Sequence, residues 1–337
     1  MTISKLRRQL KHDATFIVGG CLPKTDKESL QSVFKGKTID PTDFSALTKF
    51  IKSRIDTTDD AVLQRGAVKI NQEIIKNIIM KTAKAVKDDG FVLVLRRVYN
   101  QINLFLRSDF GKCRDLPVSK GCCRNCAYCA IRFAIGPLKS RSSEVIIREF
   151  NAGLQSGCKI FNLYADCLGD YGLDIGTNLG ELLNKFEDIR GKFALNINDL
   201  HPEALVKYFE CIDALSQQRK IHVLHLPIQS ASQRVLTAMN RAYNIGEVMH
   251  RIRELKKNRN IYLKFDFIVG FPGESEEDFS CTMRFIKEFK HDHYFIGKYS
   301  NMPNTESSRL TEKISEAVIR ERYQSIRKLG VDIFYTL

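Results

Sequence analysis

The sequence predicts an α/β fold, an open partial (β/α)6 barrel preceded by a small incomplete α/β unit, and three observations carry that expectation. From Cys113 onward, short apolar runs alternate with amphipathic stretches of helical period, the pattern of a parallel sheet with crossover helices. Six strand–helix steps can be counted, short of the eight that close a barrel. Ahead of them, residues 1–58 read as a piece too small to hold a full core, and residues 59–112 as a basic insertion or linker.

Residues 1–11 are basic and helical in character, and a short apolar strand over residues 15–18 then ends at Gly19, Gly20 and Cys21. Pro23 marks a turn, after which residues 24–34 read as a helix. Phe44, Leu47, Phe50 and Ile51 fall on one side of a second helix, over residues 44–55. The polar run Thr57, Thr58, Asp59, Asp60 sets a boundary. Beyond it, residues 73–86 form an amphipathic helix with Ile75, Ile79 and Val86 on one face and Lys76 and Lys84 largely on the other. Asp88, Asp89 and Gly90 end it, and residues 91–99 read as a strand.

Within residues 113–337 the first strand leads from Cys113 into a cysteine-rich loop. The first helix, residues 142–155, carries Ile146, Phe150 and Leu154 at four-residue steps, and Gly157 stops it. Strand two covers residues 159–165, and the helix after it shows the stripe Leu179, Leu182, Leu183, Phe186. Strand three covers 192–198, followed by a helix over 202–217 with Pro202 in its first turn. Strand four (223–228), a short segment (231–240), a helix (245–258) and strand five (261–269) come next, ending at Gly270-Phe271-Pro272-Gly273. A helix over 276–289, strand six over 294–299 and a closing helix over 316–329 complete the series. In barrels of this kind the active site lies at the C-terminal ends of the strands.

Composition narrows the class. A chain of 337 residues with 27% charged and 43% apolar side chains is that of an ordinary soluble globular protein. No apolar run approaches the roughly eighteen residues that span a membrane, so no membrane partner is expected. The basic N-terminus lacks the apolar core of a signal peptide, and ten cysteines, mostly unpaired in spacing, fit the reducing cytoplasm. The net charge of +14 is uneven: residues 1–112 carry 21 Lys and Arg against 12 Asp and Glu, and residues 61–112 alone carry 10 against 4. Such an excess fits a polyanionic partner, RNA first, or else a solvated basic face.

The chemistry concentrates in residues 121–129, where Cys122, Cys126 and Cys129 form a C-x3-C-x2-C frame, with Cys123 outside it. Thiolates this close repel one another unless a soft metal or an iron–sulfur cluster neutralises them. A disulfide needs an oxidising compartment, and a structural zinc site draws on two separated pairs, whereas no C-x2-C occurs in the chain outside residues 122–129. Three thiolates on a four-iron cluster leave one iron without a protein ligand, open to exogenous chemistry.

The cysteine frame with Tyr128 before its last member resembles the signature of radical S-adenosylmethionine (SAM) enzymes. The run PVSKGCCRNCAYCAIRFAIGPLKSR (117–141) is similar, more narrowly, to the methylthiotransferase branch. The blocks YGLDIGTNLGELL (171–183), HLPIQSASQRVLTAMNRAY (225–243) and FIVGFPGESEEDF (267–279) extend that resemblance to about Ser300. The archaeal and eukaryotic threonylcarbamoyladenosine tRNA methylthiotransferases are nearest in flavour. The resemblance implies the partial radical-SAM barrel for residues 113–337, with a 4Fe-4S cluster on Cys122, Cys126 and Cys129 whose open iron chelates SAM. It also makes residues 1–58 a remnant of the family's N-terminal domain, in which Cys21 alone matches one of three cysteines for a second iron–sulfur cluster. The family's C-terminal RNA-binding β-barrel is expected to be missing, so the chain reads as truncated at both ends.

SAM needs partners beyond iron. Tyr128, Ile268 and Val269 are candidates for its adenine, and Asp166, Asn198, Gln229 and Ser230 stand at strand ends where its polar groups would lie, or where a simple turn former would. Two departures from the family pattern stand out: Ala165-Asp166-Cys167 replaces Gly-Gln-Asn or Gly-Gln-Asp, and Ser300-Asn301-Met302-Pro303-Asn304-Thr305 replaces Ser-x-Arg-Pro-Gly-Thr. The expected activity is generation of a 5′-deoxyadenosyl radical and methylthiolation of a tRNA adenosine derivative, with tRNA and an electron donor as partners. The alternatives are radical modification of a protein or peptide side chain, and a non-catalytic RNA-binding homologue.

Overall fold

The computed structural model describes residues 17–19, 37–39, 112–257, 261–290 and 292–333. The helices and the strand expected between residues 1 and 111, and Cys21, lie outside the described residues, apart from two short strands. These are β1 (Ile17–Gly19) and β2 (Lys37–Ile39), which pair in parallel. The sequence places a strand at the first of these and none at the second.

The rest is a continuous series: β3 (Lys112–Pro117), β4 (Ser119–Lys120), α1 (Ile131–Ile135), β5 (Lys139–Ser140), α2 (Ser143–Gln155), β6 (Cys158–Tyr164), α3 (Leu179–Glu187) and β7 (Ala194–Ile197). It continues with α4 (Pro202–Lys207), α5 (Phe209–Gln217), β8 (Ile221–Gln229), α6 (Gln233–Ala238), α7 (Ile245–Lys257) and β9 (Tyr262–Val269). It ends with α8 (Glu276–Glu288), β10 (His293–Lys298), α9 (Glu316–Lys328) and β11 (Asp332–Ile333). Seven strands form one sheet in the order β11-β10-β9-β8-β7-β6-β3, every pair parallel. Each strand lies beside its successor, and β3 does not pair with β11, so the sheet is an open partial barrel. It has one strand more than the six counted in the sequence, because β11 is only two residues long.

Period-two patterning decides which face of the sheet carries the core. In β9, Leu263, Phe265, Phe267 and Val269 are buried, whereas Tyr262, Lys264, Asp266 and Ile268 are half-buried on the other face. The apolar face meets the helices: Phe150 of α2 packs on Phe161, Phe186 and Phe193 with ring centroids 4.2, 5.0 and 4.9 Å apart. Each such fully buried ring contributes roughly 1.5–3 kcal/mol. The opposite face is polar and open, as a ligand chamber requires.

Helix starts follow their caps. Ser142, Asn178, Ser232 and Ser315 accept from backbone N–H groups in the first turns of α2, α3, α6 and α9, and Ser275 with Asp278 makes a capping box on α8. One expected helix is broken. Residues 202–217 form α4 and α5, separated at Tyr208 (φ −114°, ψ 27°), whose ring closes on the bare backbone of Gly180. Leu205, Tyr208, Phe209, Ile212 and Leu215 keep the helical apolar period through the break, so the pattern hides it.

Candidate active site

The loop from Gly121 to Ala130 is closed at its base by the antiparallel clasp of β4 and β5. Gly121 has φ 87°, and a Cβ there would stand 2.0 Å from the carbonyl oxygen of Pro137. Only glycine fits. Three neighbours then pin the loop. The Gly121 N–H donates to Asp166 Oδ2 at 2.7 Å. The Ala127 N–H donates to the Met239 carbonyl at 2.9 Å, and the Ser307 N–H donates to the Ala127 carbonyl at 2.8 Å. Glu306 adds a bridge, accepting from Asn125 at 3.0 Å and Asn240 at 2.6 Å.

Cys122, Cys126 and Cys129 are all partly exposed on this loop. A hydrogen bond from the Cys167 thiol outweighs burial and lowers Cys122 to about 7. Burial raises Cys129, against backbone N–H groups of Ile131 and Arg132 at the start of α1. Cys126 Sγ lies 3.7 Å from Nη1 of Arg241. Among the described residues no three His, Cys, Asp or Glu side chains converge on a point that one metal ion could fill.

Arg241 is buried, donates to the Tyr128 hydroxyl at 3.2 Å and the Pro227 carbonyl at 2.6 Å, and its Nε has no partner. Pro227 lies where the β8–β9 register shifts, between Leu226 and Gln229. Tyr128 packs with Ile268 and Tyr299 against Val235, Met239 and Phe271, an apolar wall beside the loop. The donor set therefore fits a negatively charged iron–sulfur cluster: three thiols on one fixed loop, with a buried positive charge aimed at one of them.

The other expected residues are placed as follows. Asp166 is exposed and tied to Gly121. Asn198 is half-buried, donating to the Leu163 and Asn196 carbonyls at 3.2 and 3.3 Å. Gln229 takes the left-handed conformation at the end of β8 (φ 73°). Ser230 is fully buried, and its hydroxyl accepts the Ser232 N–H at 3.2 Å. Ile268 lies on the Tyr128 wall, while Val269 turns into the main core and its carbonyl accepts the Tyr299 N–H at 2.8 Å.

The polar face of the sheet holds a cavity of about 350 Å³, lined by residues of five strands. A carboxamide ladder crosses it: Asn162 donates to Asp115 at 2.7 Å and accepts from Asn196 at 2.7 Å. Nearer the strand ends, His225 lies 2.8 Å from Asp266 and 3.4 Å from Asp199. Burial opposes its charge, but the two carboxylates prevail and raise it to about 9. Asp199 itself has φ 55°, a strained conformation at the chamber rim.

On the loop itself, Arg124 is held by Asp170 at 2.5 Å and Glu203 at 2.5 Å, and the Cys123 thiol donates to Asp170 at 3.3 Å. Burial and that carboxylate push Cys123 up to about 11. Arg241, His225 and the asparagine ladder were not foreseen from sequence. Their only signals were an arginine inside an apolar stretch and polar residues alternating along strands.

The Radical SAM superfamily model matches residues 116–286. A probable threonylcarbamoyladenosine tRNA methylthiotransferase of Archaeoglobus fulgidus is 30% identical over 284 residues, covering 77% of this chain and 67% of that protein. The chain belongs to the methylthiotransferase family of the radical SAM superfamily. The Pyrococcus horikoshii protein of the same name is 34% identical to this methylthiotransferase-family chain, over 66% of the chain and 52% of that protein. A ribosomal protein uS12 methylthiotransferase RimO of Protochlamydia amoebophila is 29% identical over 97% of this chain and 64% of that protein. The chain thus spans about half the length of the archaeal relatives it matches first. Among solved structures, that of the radical SAM methyltransferase TsrM from Kitasatospora setae is similar with a TM-score of 0.47 at 17% identity, over 58% of this chain and 36% of that one.

Proposed function

We propose that Cys122, Cys126 and Cys129 hold a 4Fe-4S cluster, that SAM binds beside it at the strand ends, and that the chain methylthiolates a tRNA adenosine derivative. The observation that carries this reading is the pinned loop with its three partly exposed thiols beside the Tyr128 wall. Bound there, the cluster supplies the electron that splits SAM into methionine and a 5′-deoxyadenosyl radical. The protein's own part is placement. Tyr128 and Ile268 offer an apolar surface for the adenine, with the backbone at Val269 beside it. Asn198, Gln229 and Ser230 stand at the ends of neighbouring strands as partners for the polar groups, and Asp166 fixes the loop from below. The polar chamber with its asparagine ladder receives the substrate.

The net charge of +14 and the similarity to archaeal relatives named as tRNA methylthiotransferases support tRNA as the substrate. A one-electron donor is the further partner this reading needs, and a cytoplasmic location suits it. The RimO relative, which covers nearly the whole chain, favours a second reading in which the acceptor is a protein side chain. Cys21 is proposed to contribute to a second cluster; an iron content unchanged in Cys21→Ala removes that part alone.

The test is anaerobic reconstitution with iron and sulfide, followed by SAM and dithionite. Release of 5′-deoxyadenosine, abolished by Cys126→Ala, is expected. No release under conditions that serve a control radical SAM enzyme overturns the reading. Offering tRNA or ribosomal protein as acceptor then separates the two substrate classes.

A further inference from the structure

Arg241 is 4% exposed, yet no Asp or Glu pairs with it in any ion pair among the described residues. Arg322, the other buried arginine among the described residues, is 2.8 Å from Glu274 and 3.2 Å from Glu276. Arg124, on the cluster loop itself, has Asp170 and Glu203. The partners of Arg241 are instead the Tyr128 hydroxyl, the Pro227 carbonyl, the sulfur of Cys126 and the ring of Tyr243, whose centroid lies 5.5 Å from its Cζ. The two oxygens are neutral, and Nε is left with no partner at all. A guanidinium removed from water in this way is costly unless an anion completes its surroundings.

Its direction is fixed. Pro227 O holds one end of the fork, and the Arg241 N–H donates to the Leu236 carbonyl at 2.9 Å. Asn240, in the left-handed conformation (φ 55°), turns the chain there and is tied to Glu306. Met239, two residues before Arg241, accepts from the cluster loop at Ala127. The segment 239–241 therefore grips the loop by backbone and by side chain together. Nearby His201 is buried and held neutral, with Arg241 and Arg124 both disfavouring its cation.

We infer that Arg241 is a positioning residue for the cluster: its guanidinium donates to the sulfur of Cys126 and favours the reduced, more negative state. This rests on the cluster site proposed above. Reduction adds one electron from an external donor and one negative charge to the cluster. Hydrogen bonds to cluster sulfurs and nearby charge set the potential at which that occurs. The Tyr128 hydroxyl, which accepts from the same Nη1, couples the apolar wall to this contact.

The experiment uses the full chain reconstituted anaerobically, with iron content measured first. A wild-type chain that takes up no cluster sinks the function proposed above and is recognised at that step. With the cluster in place, protein labelled with nitrogen-15 in the guanidino positions of arginine is reduced with dithionite and studied by pulsed EPR. The label leaves the backbone N–H of Arg124, 3.4 Å from Cys122 Sγ, silent. A nitrogen-15 coupling is expected in the wild type and in Arg124→Lys; a loaded wild-type cluster without it overturns the inference. Redox titration adds a second readout. In Arg241→Gln the ratio of reduced to oxidised cluster at the wild-type midpoint should fall at least tenfold, about 59 mV for a one-electron couple, and Arg241→Lys should recover part of it. An unchanged midpoint in Arg241→Gln overturns the inference, and one accompanied by weaker SAM binding assigns Arg241 to the SAM carboxylate instead. Should the glutamine variant take up no iron, the labelled wild type decides alone.

Discussion

The carboxylate of Asp166, at the end of β6, accepts the backbone N–H of Gly121, the residue that opens the cysteine loop, at 2.7 Å. The two are 45 residues apart in sequence. The strand end thus sets where the first thiol stands, and the sheet's register is transmitted directly to the metal-binding loop.

Cutting that link should loosen the loop without unfolding the barrel. Asp166→Ala removes a hydrogen bond to a charged acceptor, about 1.5–3 kcal/mol of local order, while Asp166→Asn keeps an acceptor and should be milder. Gly121→Ala is expected to be worst, because it adds a Cβ 2.0 Å from Pro137 O and strains a backbone at φ 87°. Iron and sulfide per chain after reconstitution, read beside the thermal melting curve, check the ranking. Equal iron content in all three variants would show that the loop needs no such anchor.

His225 should make stability depend on pH on the alkaline side. Its folded value, about 9, lies above the ordinary 6.5, so the folded state holds the proton more tightly. The stabilisation is complete below about 6.5 and is lost as pH rises through about 9, amounting to roughly 3 kcal/mol. Nδ1 faces both the Asp199 carboxylate at 3.4 Å and its backbone N–H at 3.3 Å. Deprotonation would exchange the first partner for the second. Urea midpoints measured from pH 6 to pH 9.5 should fall in the wild type and stay nearly flat in His225→Gln; parallel slopes in the two would refute the assignment.

The parts of this site that sequence reveals are local, and the parts it hides are long-range. Cys122, Cys126 and Cys129 show themselves by spacing, and the helices by an apolar stripe such as Leu179, Leu182, Leu183, Phe186, all buried as the period requires. Arg241 meets Cys126 across 115 positions, and His225 meets Asp266 across 41, so no window of sequence contains either contact. Polar residues alternating along β9 and β8 could be read, but which face of the sheet is open follows only once the helices are packed. The break at Tyr208 escaped for a related reason: its ring is placed by Gly180 on another helix.

The turn after β9 supplies a last expectation. Glu274 accepts the Gly270 N–H at 2.7 Å and pairs with Arg322 of α9 at 2.8 Å, both side chains being buried. Arg322 also donates to the Glu274 carbonyl, with each Nη at 3.2 Å. Gly270 has φ 85°, and a Cβ there would reach 2.4 Å from Cγ1 of Ile319, so α9 lies directly on the turn that presents Phe271 to the Tyr128 wall. Arg322→Met would leave a buried carboxylate without its counter-charge, costing about 3–5 kcal/mol. Adding Glu274→Gln removes the charge but keeps an acceptor for Gly270, so the double variant should regain much of that loss. If α9 acts on the site through this turn, SAM affinity should weaken in Arg322→Met and recover in the double variant along with stability. A double variant no more stable than Arg322→Met would show that the guanidinium lying over the Phe279 ring, rather than the ion pair, holds the helix in place.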